Sequence, residues 1–293
     1  MKLLMLGCPS SQKELFQKAA KELGIELSVK NYFDLNFFSQ DKTLRVGGTD
    51  LKAFDAVYLR LVGEHREELN LIADYCRLKK IALFDKVLLT GSVDRKKSFD
   101  ALKLTRIGLP YPRTFFGSLK TLRQKAVGLG FPLIIKDTAG RKGRDVFLAK
   151  DNKELVSLIK KLKEQEEAGK HFLLQEFIPN DGDYRLIVIG QKVIGTIKRV
   201  PGKGEFRSNI SLGGEAVLVG SLGRRIEKIA VKAALSLRVD FAGVDIILDQ
   251  RNDQPFILEV NRSPQFAGFM AATKINAPLL VLKYLKEEIL RSR

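Results

Sequence analysis

Two carboxylates and one amide near the C-terminus carry the clearest chemistry in this 293-residue chain. Asp245 lies in the segment FAGVDIILD, and Glu259 and Asn261 lie in PFILEVNRSP. Both segments are rich in β-branched and aromatic residues and flank the turn-forming sequence DQRNDQP, so they predict a β-hairpin. A turn centred near Asn252 places Asp245 opposite Glu259. Because strand side chains alternate with period two, Asn261 shares the face of Glu259.

Three oxygen-bearing side chains on one hairpin suit Mg²⁺ as a ligand set. This ion takes one or two protein carboxylates and completes its shell with water and phosphates. The alternative is a polar hairpin face that lies in solvent and binds nothing. These residues alone leave both interpretations open.

A glycine-containing loop, KDTAGRKGRDV, joins two predicted strands earlier in the chain. Gly140 and Gly143 let backbone N–H groups approach a phosphate closely, and Lys136 adds a positive charge at the end of the first strand. The loop matches neither GxxxxGK[ST] nor GxGxxG, so an ordinary basic hairpin turn is an equal alternative.

The segment QEFIPNDGDYRLIV is the third candidate. Where the strand Glu176-Phe177-Ile178 runs into a Pro-Asn-Asp-Gly turn, the backbone can offer a carbonyl and an N–H to an adenine edge. Asp183 can accept hydrogen bonds from ribose hydroxyls. The alternative is a linker between a strand and a hairpin, with Asp183 as a turn residue.

The basic loop KRVPGKGEFRSNISLGG contains Arg199, Arg207 and Asn209. A guanidinium group matches phosphate or carboxylate oxygens with two parallel hydrogen bonds, so this loop suits a nucleoside triphosphate or an anionic intermediate. A solvated basic loop is the alternative.

The composition predicts a globular protein, with 45% hydrophobic and 29% charged residues. No apolar run reaches the roughly 20 residues that span a bilayer, and Cys8 and Cys76 form no disulfide or zinc pattern. We therefore expect a cytoplasmic protein with no membrane partner. The net charge is +17, most of it after residue 92, but no nucleic-acid-binding motif accompanies it. Direct nucleic-acid binding is thus not favoured, and a basic surface can equally attract an acidic substrate.

Strand–helix alternation organises the first part of the chain and predicts a parallel α/β domain over residues 1–92. A second domain over residues 93–293 begins with a helix at Ser98–Ile107 and continues with strands, helices and the hairpin that carries Asp245. We divide it into a lid subdomain at about residues 114–174 and a catalytic subdomain at about residues 175–293. The helix Lys153–Glu167, a hairpin across Gly190-Gln191 and a C-terminal helix from about Pro278 are the clearest elements there.

The order of these candidates resembles the ATP-grasp superfamily, and most closely its RimK-type amino-acid ligases. Along the chain stand Lys97, then Lys136 with its glycine loop, the QEFI segment, the arginine-rich loop, and the Asp245 hairpin. GEFRSNISLGG and AGVDI…FILEVNRSP match the family pattern most closely, and FDAVYLR is the best match before residue 92. The resemblance implies an α/β fold with an antiparallel catalytic sheet and an α+β lid.

The resemblance also implies roles for individual residues. Lys97 and Lys136 contact ATP phosphates with the Gly140 and Gly143 loop; Glu176, Phe177 and Ile178 bind adenine through their backbone, and Asp183 binds ribose. Two Mg²⁺ ions, or Mn²⁺ in their place, are held by Asp245, Glu259 and Asn261. Arg199 and Arg207 stabilise the phosphoryl group or the bound carboxylate, and Asn209 orders their loop. RSPQFAGFMAATKIN departs from the family's glycine-rich continuation, so amino-acid selectivity does not carry over.

The implied function is an ATP- and Mg²⁺-dependent ligase that joins an amino acid, with glutamate the first candidate, to a peptide, a protein C-terminus or a small acidic acceptor. An acylphosphate is the implied intermediate. Two alternatives within the family are a ligase of lysine or arginine biosynthesis and a glutathione-synthetase-like enzyme. The alternative from another class is a non-catalytic basic protein that binds RNA or the ribosome on an ATP-grasp scaffold. A ribosomal protein as acceptor and an oligomeric state also stay open.

Overall fold

The computed structural model has a mixed α/β architecture, as the sequence predicts. It describes residues 1–62, 65–90, 96–140, 143, 145–202, 205, 207, 214–262 and 264–291. The predicted boundary between residues 92 and 93 lies outside this range. Within the described part of the chain, no helix has the length and apolar character to cross a membrane.

The N-terminal unit is built around a parallel sheet. Its elements are β1 (Lys2–Leu6), α1 (Ser10–Glu22), β2 (Glu26–Lys30), β3 (Leu35–Phe38), β4 (Thr43–Val46), β5 (Thr49–Asp50), β6 (Ala56–Leu59), α2 (Arg66–Lys79) and β7 (Ala82–Phe84). The order β2-β1-β6-β7, with all pairs parallel, confirms the predicted α/β unit. Leu3 packs with Phe16 of α1, and Leu4 packs with Ile72 of α2. Because both faces are covered, β1 is apolar and buried from Leu3 to Leu6.

This unit also contains a small antiparallel sheet that the sequence did not predict, with the order β3-β4-β5. The side chains of Phe37 and Phe38 in β3 are each 60% exposed. Because β3 is short and buries neither face, it has no alternating apolar pattern. This explains why β3 was not predicted.

A four-stranded antiparallel sheet, the lid sheet, comes next in the chain. Helix α3 (Lys97–Arg106) precedes it, and its elements are β8 (Thr114–Gly117), α4 (Leu119–Leu129), β9 (Leu133–Asp137), β10 (Val146–Ala149), α5 (Asn152–Glu167) and β11 (Phe172–Glu176). The strand order is β10-β9-β11-β8. The sequence predicted β9, β10, α5 and β11 but not β8 or α4. Helix α5 begins where the Asp151 carboxylate accepts a 2.8 Å hydrogen bond from the Glu154 amide.

A five-stranded antiparallel sheet, the floor sheet, occupies the C-terminal part. Its elements are β12 (Asp183–Ile189), β13 (Lys192–Val200), β14 (Glu215–Val219), α6 (Arg224–Ser236), β15 (Phe241–Leu248), β16 (Pro255–Arg262), α7 (Ala267–Thr273) and α8 (Ala277–Arg291). The order is β14-β13-β12-β15-β16. The predicted hairpins β12–β13 and β15–β16 are confirmed, whereas β14 and α7 were not predicted.

The floor sheet is buried on both faces and links the two units. Leu186 of β12 packs with Ala233 of α6 on one face. Ile187, the next residue, packs on the other face in one core cluster with Leu3 of β1 and Val281 of α8. The N-terminal unit therefore rests against the sheet that carries the predicted metal ligands.

Candidate active site

A cleft lined by both the lid sheet and the floor sheet contains most of the predicted site residues. The predicted residues that line it are Lys97, Lys136, Gly143, Glu176, Phe177, Ile178, Asp183, Arg199, Arg207, Asp245 and Glu259. Gly140 and Asn261 do not line the cleft, but each contacts a residue that does. Asn209 lies outside the described residues.

The cleft has apolar walls on both sides. Ile134 and Val146 of the lid sheet line it, as do Ile247 and Leu258 of the floor sheet. Ile134 stands two residues before Lys136 in β9, a distance of about 6.4–6.8 Å along a strand. Apolar walls close to a charged region suit a ligand with a flat ring and an anionic tail.

The register of the hairpin β15–β16 is as predicted. Asp245 lies directly opposite Glu259, and the pairing then shifts so that Ile246 lies opposite Ile257. Leu258 is the extra residue of this bulge, which turns both Leu258 and Glu259 towards the cleft. The Asn261 amide donates a 3.0 Å hydrogen bond to Oδ2 of Asp245. The two carboxylates and the amide therefore come together.

Asp245 is also held by two arginines, one of which the sequence analysis missed. Arg185 donates to both carboxylate oxygens at 2.7 Å, and Nη2 of Arg199 lies 2.9 Å from Oδ2. Asp245 is 3% exposed. Burial acts to raise the pKa of this carboxyl, but Arg185 and Arg199 outweigh it and hold the pKa below its ordinary value.

The residues around Asp245 fit a hard divalent cation. Oδ2 of Asp245 accepts from Arg185, Arg199 and Asn261, whereas Oδ1 accepts only from Arg185 among the described residues. Since each carboxylate oxygen has two lone pairs, Oδ1 keeps one position for a cation. Glu259 opposite it is 36% exposed and has a single partner at 3.7 Å among the described residues. The described chain has no cluster of three His, Cys, Asp or Glu residues, so any ion here depends on two carboxylates and the Asn261 amide oxygen.

Asp183 has a partner that the sequence did not indicate. Its carboxylate oxygens accept from Nε of Arg199 at 2.9 Å and from Nη2 of the same guanidinium in a shorter contact. Asp183 is 2% exposed and Arg199 is 5% exposed. A ribose hydroxyl that binds Asp183 must therefore share the carboxylate with Arg199.

Lys97 connects the floor hairpin to the lid loop. Its ammonium group lies 3.7 Å from Oε1 of Glu259 and donates a short hydrogen bond to the carbonyl of Gly140. Arg207 makes a similar contact, since its Nη1 donates at 2.9 Å to the carbonyl of Gly143. In this structure the loop glycines face the cations with their carbonyl groups. The sequence analysis expected them to present N–H groups to a phosphate, so phosphate binding there requires these carbonyls to turn away.

Lys136 is the buried cation of the cleft. Its ammonium group donates to Oε1 of Gln175 at 2.9 Å, and the residue is 6% exposed. Burial, together with the positive charge of Lys97, lowers the pKa of Lys136 to about 8 against the opposing effect of Glu259. A phosphate placed beside Lys136 favours its charged form and raises this pKa again.

The lowered pKa of Lys136 predicts that a rise in pH weakens ligand binding but increases the free energy of unfolding. We expect the Kd of Mg-ADP to rise above pH 8, by up to about tenfold per pH unit, because binding must then protonate Lys136. The free energy of unfolding is expected to increase from pH 8 towards 10.5, because the unfolded chain, whose Lys136 has its ordinary pKa of 10.5, binds the proton that the folded chain lacks.

Titration calorimetry in two buffers of different ionisation enthalpy measures both the affinity and the proton uptake. Lys136→Met is the control. Because this variant lacks the amine, binding should take up no proton and the Kd should depend less on pH. A wild-type Kd that stays constant from pH 7.5 to 9.5 contradicts the prediction.

The predicted adenine segment is held in place from outside the cleft. Arg113 donates to the two oxygens of the Glu176 carboxylate at 2.7 Å through its amide and its Nε. The amide of Glu176 donates to the carbonyl of Arg113, and that of Phe177 donates to Pro132. In the part of the chain that the structure describes, the Ile178 amide has no such partner. The Ile178 N–H group is therefore available to donate a hydrogen bond to a nucleobase.

Three supporting residues were missed by the sequence analysis: Arg185, Gln175 and Arg113. Arg185 could have been found, because it stands two residues after Asp183 and so shares its strand face. Gln175 and Arg113 give no such signal. Each acts through a partner on another strand, and only the fold brings these partners together.

Comparisons with known proteins agree in pointing to one family. A model of the RimK-like ATP-grasp domain matches residues 93–285. A protein named probable alpha-L-glutamate ligase from Legionella pneumophila (strain Corby) is 33% identical over 256 residues, which cover 83% of this chain and 79% of that protein. One of the same name from Shewanella loihica (strain ATCC BAA-1088 / PV-4) is 32% identical over 288 residues, which cover 94% and 90%.

Solved structures give the same fold. The ATP-grasp ligase PsnB, in complex with precursor peptide PsnA2 and AMPPNP, has a TM-score of 0.75 at 18% identity and covers 98% of both chains. The D-alanine–D-alanine ligase from Bacillus anthracis, in complex with ATP, has a TM-score of 0.67 at 18% identity and covers 100% of this chain and 98% of that one. At such identities the likeness concerns the ATP-grasp fold alone.

Proposed function

Because this chain belongs to the RimK-like ATP-grasp family and is an ATP-dependent carboxylate–amine ligase, we propose that it joins an amino acid to a peptide, protein C-terminus or small acidic acceptor. Glutamate is the first candidate for the amino acid, since the curated relatives are named probable alpha-L-glutamate ligases. The proposal also keeps the division into residues 1–92 and 93–293, with a lid at about 114–174 and a catalytic part from 175.

One observation carries this proposal. The register of β15–β16 sets Asp245 and Glu259 side by side in a cleft that also contains Lys97 and Lys136. A cleft with both signs of charge and apolar walls supports the binding of a nucleoside triphosphate with a divalent cation. A scaffold without catalysis has no need to gather these groups.

The proposed reaction has two steps. A carboxylate oxygen of one substrate attacks the terminal phosphorus of ATP, and the bond from that phosphorus to the ADP oxygen breaks. The amine of the other substrate then attacks the acyl carbon, so that a C–N bond forms, phosphate leaves and the amine loses a proton. The chain's task is to align these groups and to offset the negative charge that moves with the phosphoryl group.

Each cleft residue then has a proposed role. Lys97 and Lys136 hold phosphate oxygens, Arg199 and Arg207 stabilise the transferring group or the substrate carboxylate, and Asn209 orders their loop. The Ile178 amide and the apolar walls hold adenine, together with the backbone of Glu176 and Phe177. The cation ligands are Asp245, Glu259 and Asn261, and we propose two Mg²⁺ ions, for which Mn²⁺ is a substitute. When bound, these ions neutralise phosphate charge.

The Mg²⁺-dependent binding of nucleotide tests this proposal first. Thermal unfolding should shift upward with ADP plus Mg²⁺ and much less with either alone, because a ligand that binds only the folded state stabilises it. The twenty amino acids are then screened for ATP-dependent phosphate release, with mass spectrometry of the products. If nucleotide with Mg²⁺ gives no shift, the alternative of a non-catalytic RNA- or ribosome-binding protein takes its place.

The positive charge of the chain makes a further prediction about the acceptor. We propose an acidic acceptor, a ribosomal protein among the candidates, for a cytoplasmic enzyme with net charge +17. Raising the salt from 50 to 300 mM should lower kcat/KM for an acidic acceptor peptide several-fold, because ions screen long-range attraction. A neutral peptide of the same length is the control, and an equal loss for both peptides rules out steering by charge.

A further inference from the structure

Arg60 is a fully buried cation at the junction of the two units. It follows β6 directly, its exposure is 0%, and its backbone carbonyl accepts a 2.7 Å hydrogen bond from the Tyr32 hydroxyl. Among the described residues, the polar partners of its guanidinium are the Tyr58 hydroxyl at 3.0 Å, Gln12 Oε1 at 2.9 Å and the carbonyl of Pro264 at 3.5 Å. None of these partners is a carboxylate, and Nε has no hydrogen-bond partner in the part of the chain that the structure describes. Burying a charge with so few polar partners lowers the free energy of unfolding.

Aromatic rings supply the rest of its surroundings. The guanidinium carbon lies 5.2 Å from the ring centre of Phe16 and 5.8 Å from that of Tyr58, both in the N-terminal unit. It lies 5.1 Å from Phe266 and 5.9 Å from Phe241, both in the C-terminal part. Desolvated cation–π contacts are among the stronger ones of their kind, so Arg60 fastens both sides of the junction.

The segment that Arg60 contacts leads to the site. Pro264 and Phe266 follow the metal-ligand strand β16 by a few residues, and Phe266 directly precedes α7. Pro264 packs on Gly243, where an added Cβ would lie 3.0 Å from Pro264 and 3.5 Å from Arg185. Since Arg185 holds Asp245 with two hydrogen bonds, an unbroken series of contacts leads from Arg60 to the proposed cation site.

We infer that Arg60 is a positioning residue that fixes the segment from Pro264 to α7 against the floor sheet. This inference rests on the proposed function, and it adds that this segment, which departs from the family pattern in RSPQFAGFMAATKIN, selects the amino-acid substrate. Arg60 does not line the nucleotide cleft. Loss of Arg60 is therefore expected to raise KM for the amino-acid substrate and to leave nucleotide binding unchanged.

Hydrogen exchange tests this inference without knowledge of the substrate. In Arg60→Met, the amides of Met270 and Lys274, which close hydrogen bonds to Phe266 and Met270 at 2.8 and 2.9 Å, should exchange at least tenfold faster. Exchange in β12 and β15 and the thermal shift with ADP plus Mg²⁺ should stay as in the wild type. With glutamate as probe, KM for glutamate should rise at least fivefold while KM for ATP changes less than twofold.

Lys286→Met is the matched control. Lys286 of α8 donates at 2.6 Å to the carbonyl of Leu23, so its removal also weakens the junction, but through α8 and not through the segment before α7. Arg60→Lys keeps the positive charge but lacks the planar guanidinium group, so it should give an intermediate result. It replaces Arg60→Met in the test if that variant does not fold. Unchanged exchange at α7, or the same acceleration in Lys286→Met, overturns the inference. A missing nucleotide shift in the wild type instead counts against the proposed function.

Discussion

Glu259→Gln is expected to lower turnover by about 10²–10³-fold and to leave the fold intact. Glu259 lies opposite Asp245 in the hairpin, lines the cleft, and is the less buried of the two carboxylates, at 36% side-chain exposure. Glutamine has nearly the same shape but no charge, so a cation that depends on Glu259 loses much of its attraction. Among the described residues, its one ion pair, with Lys97 at 3.7 Å, is long. The effect on stability should therefore stay within about 0.5 kcal/mol.

Steady-state phosphate release at several Mg²⁺ concentrations measures this effect. The variant should need more Mg²⁺ for half-maximal rate, because one ligand is weakened. Asp253→Asn is the matched control, since it removes an exposed carboxylate from the turn of the same hairpin, outside the cleft lining. Turnover of Glu259→Gln within threefold of the wild type at saturating Mg²⁺ would exclude Glu259 from the metal site.

Asp245→Ala is expected to abolish turnover and also to lower the free energy of unfolding by about 3–5 kcal/mol. Asp245 is 3% exposed and accepts hydrogen bonds from Arg185 and contacts Arg199. Its removal leaves two guanidinium groups in a dry site with too little negative charge. Asp183 still pairs with Arg199, so Arg185 is the group most affected.

Urea unfolding of a double-mutant cycle separates the two effects. Arg185→Met should be destabilising alone, and the pair Arg185→Met with Asp245→Ala should lose less than the sum, because neither charge is then left unpaired. Glu14→Ala is the control: its exposed ion pair with Lys18 at 2.9 Å should contribute nothing measurable. Strict additivity at Arg185 and Asp245 would show that their hydrogen bonds do not stabilise the fold.

The two carboxylates therefore call for different experiments. In the proposed function Asp245 combines a structural and a catalytic task, so loss of activity in its variants has two explanations. Glu259 makes few stabilising contacts among the described residues. Loss of activity in its variants is therefore easier to assign to catalysis. The sequence showed the two as equals on one hairpin. Their burial and their arginine partners distinguish them.

Local chemistry explains what could be predicted of the fold. The parallel unit, the two hairpins of the floor sheet and the long helices each have apolar residues at a regular period and turn residues at their ends. Helix α4 was missed although it has 11 residues and buries four of them, whereas the missed elements β3, β8, β14 and α7 span only four to seven residues. Within such lengths a period of two or 3.6 repeats too few times to stand out.

The sequence by itself indicated that Asp245 lies opposite Glu259, because turn chemistry and strand alternation act within some twenty residues. The bulge at Leu258, which completes this register, was visible only in the structure. Tertiary structure decided the partners. The order β12-β15 brings Arg185 to Asp245, and the junction of the two units brings Arg60 to Pro264 and Phe266. The two hydrogen-bonded pairs among these contacts, Arg185 with Asp245 and Arg60 with Pro264, join residues 60 and 204 positions apart. Their pairing depends on which strands and units become neighbours, a property of the whole packed core that no local pattern encodes.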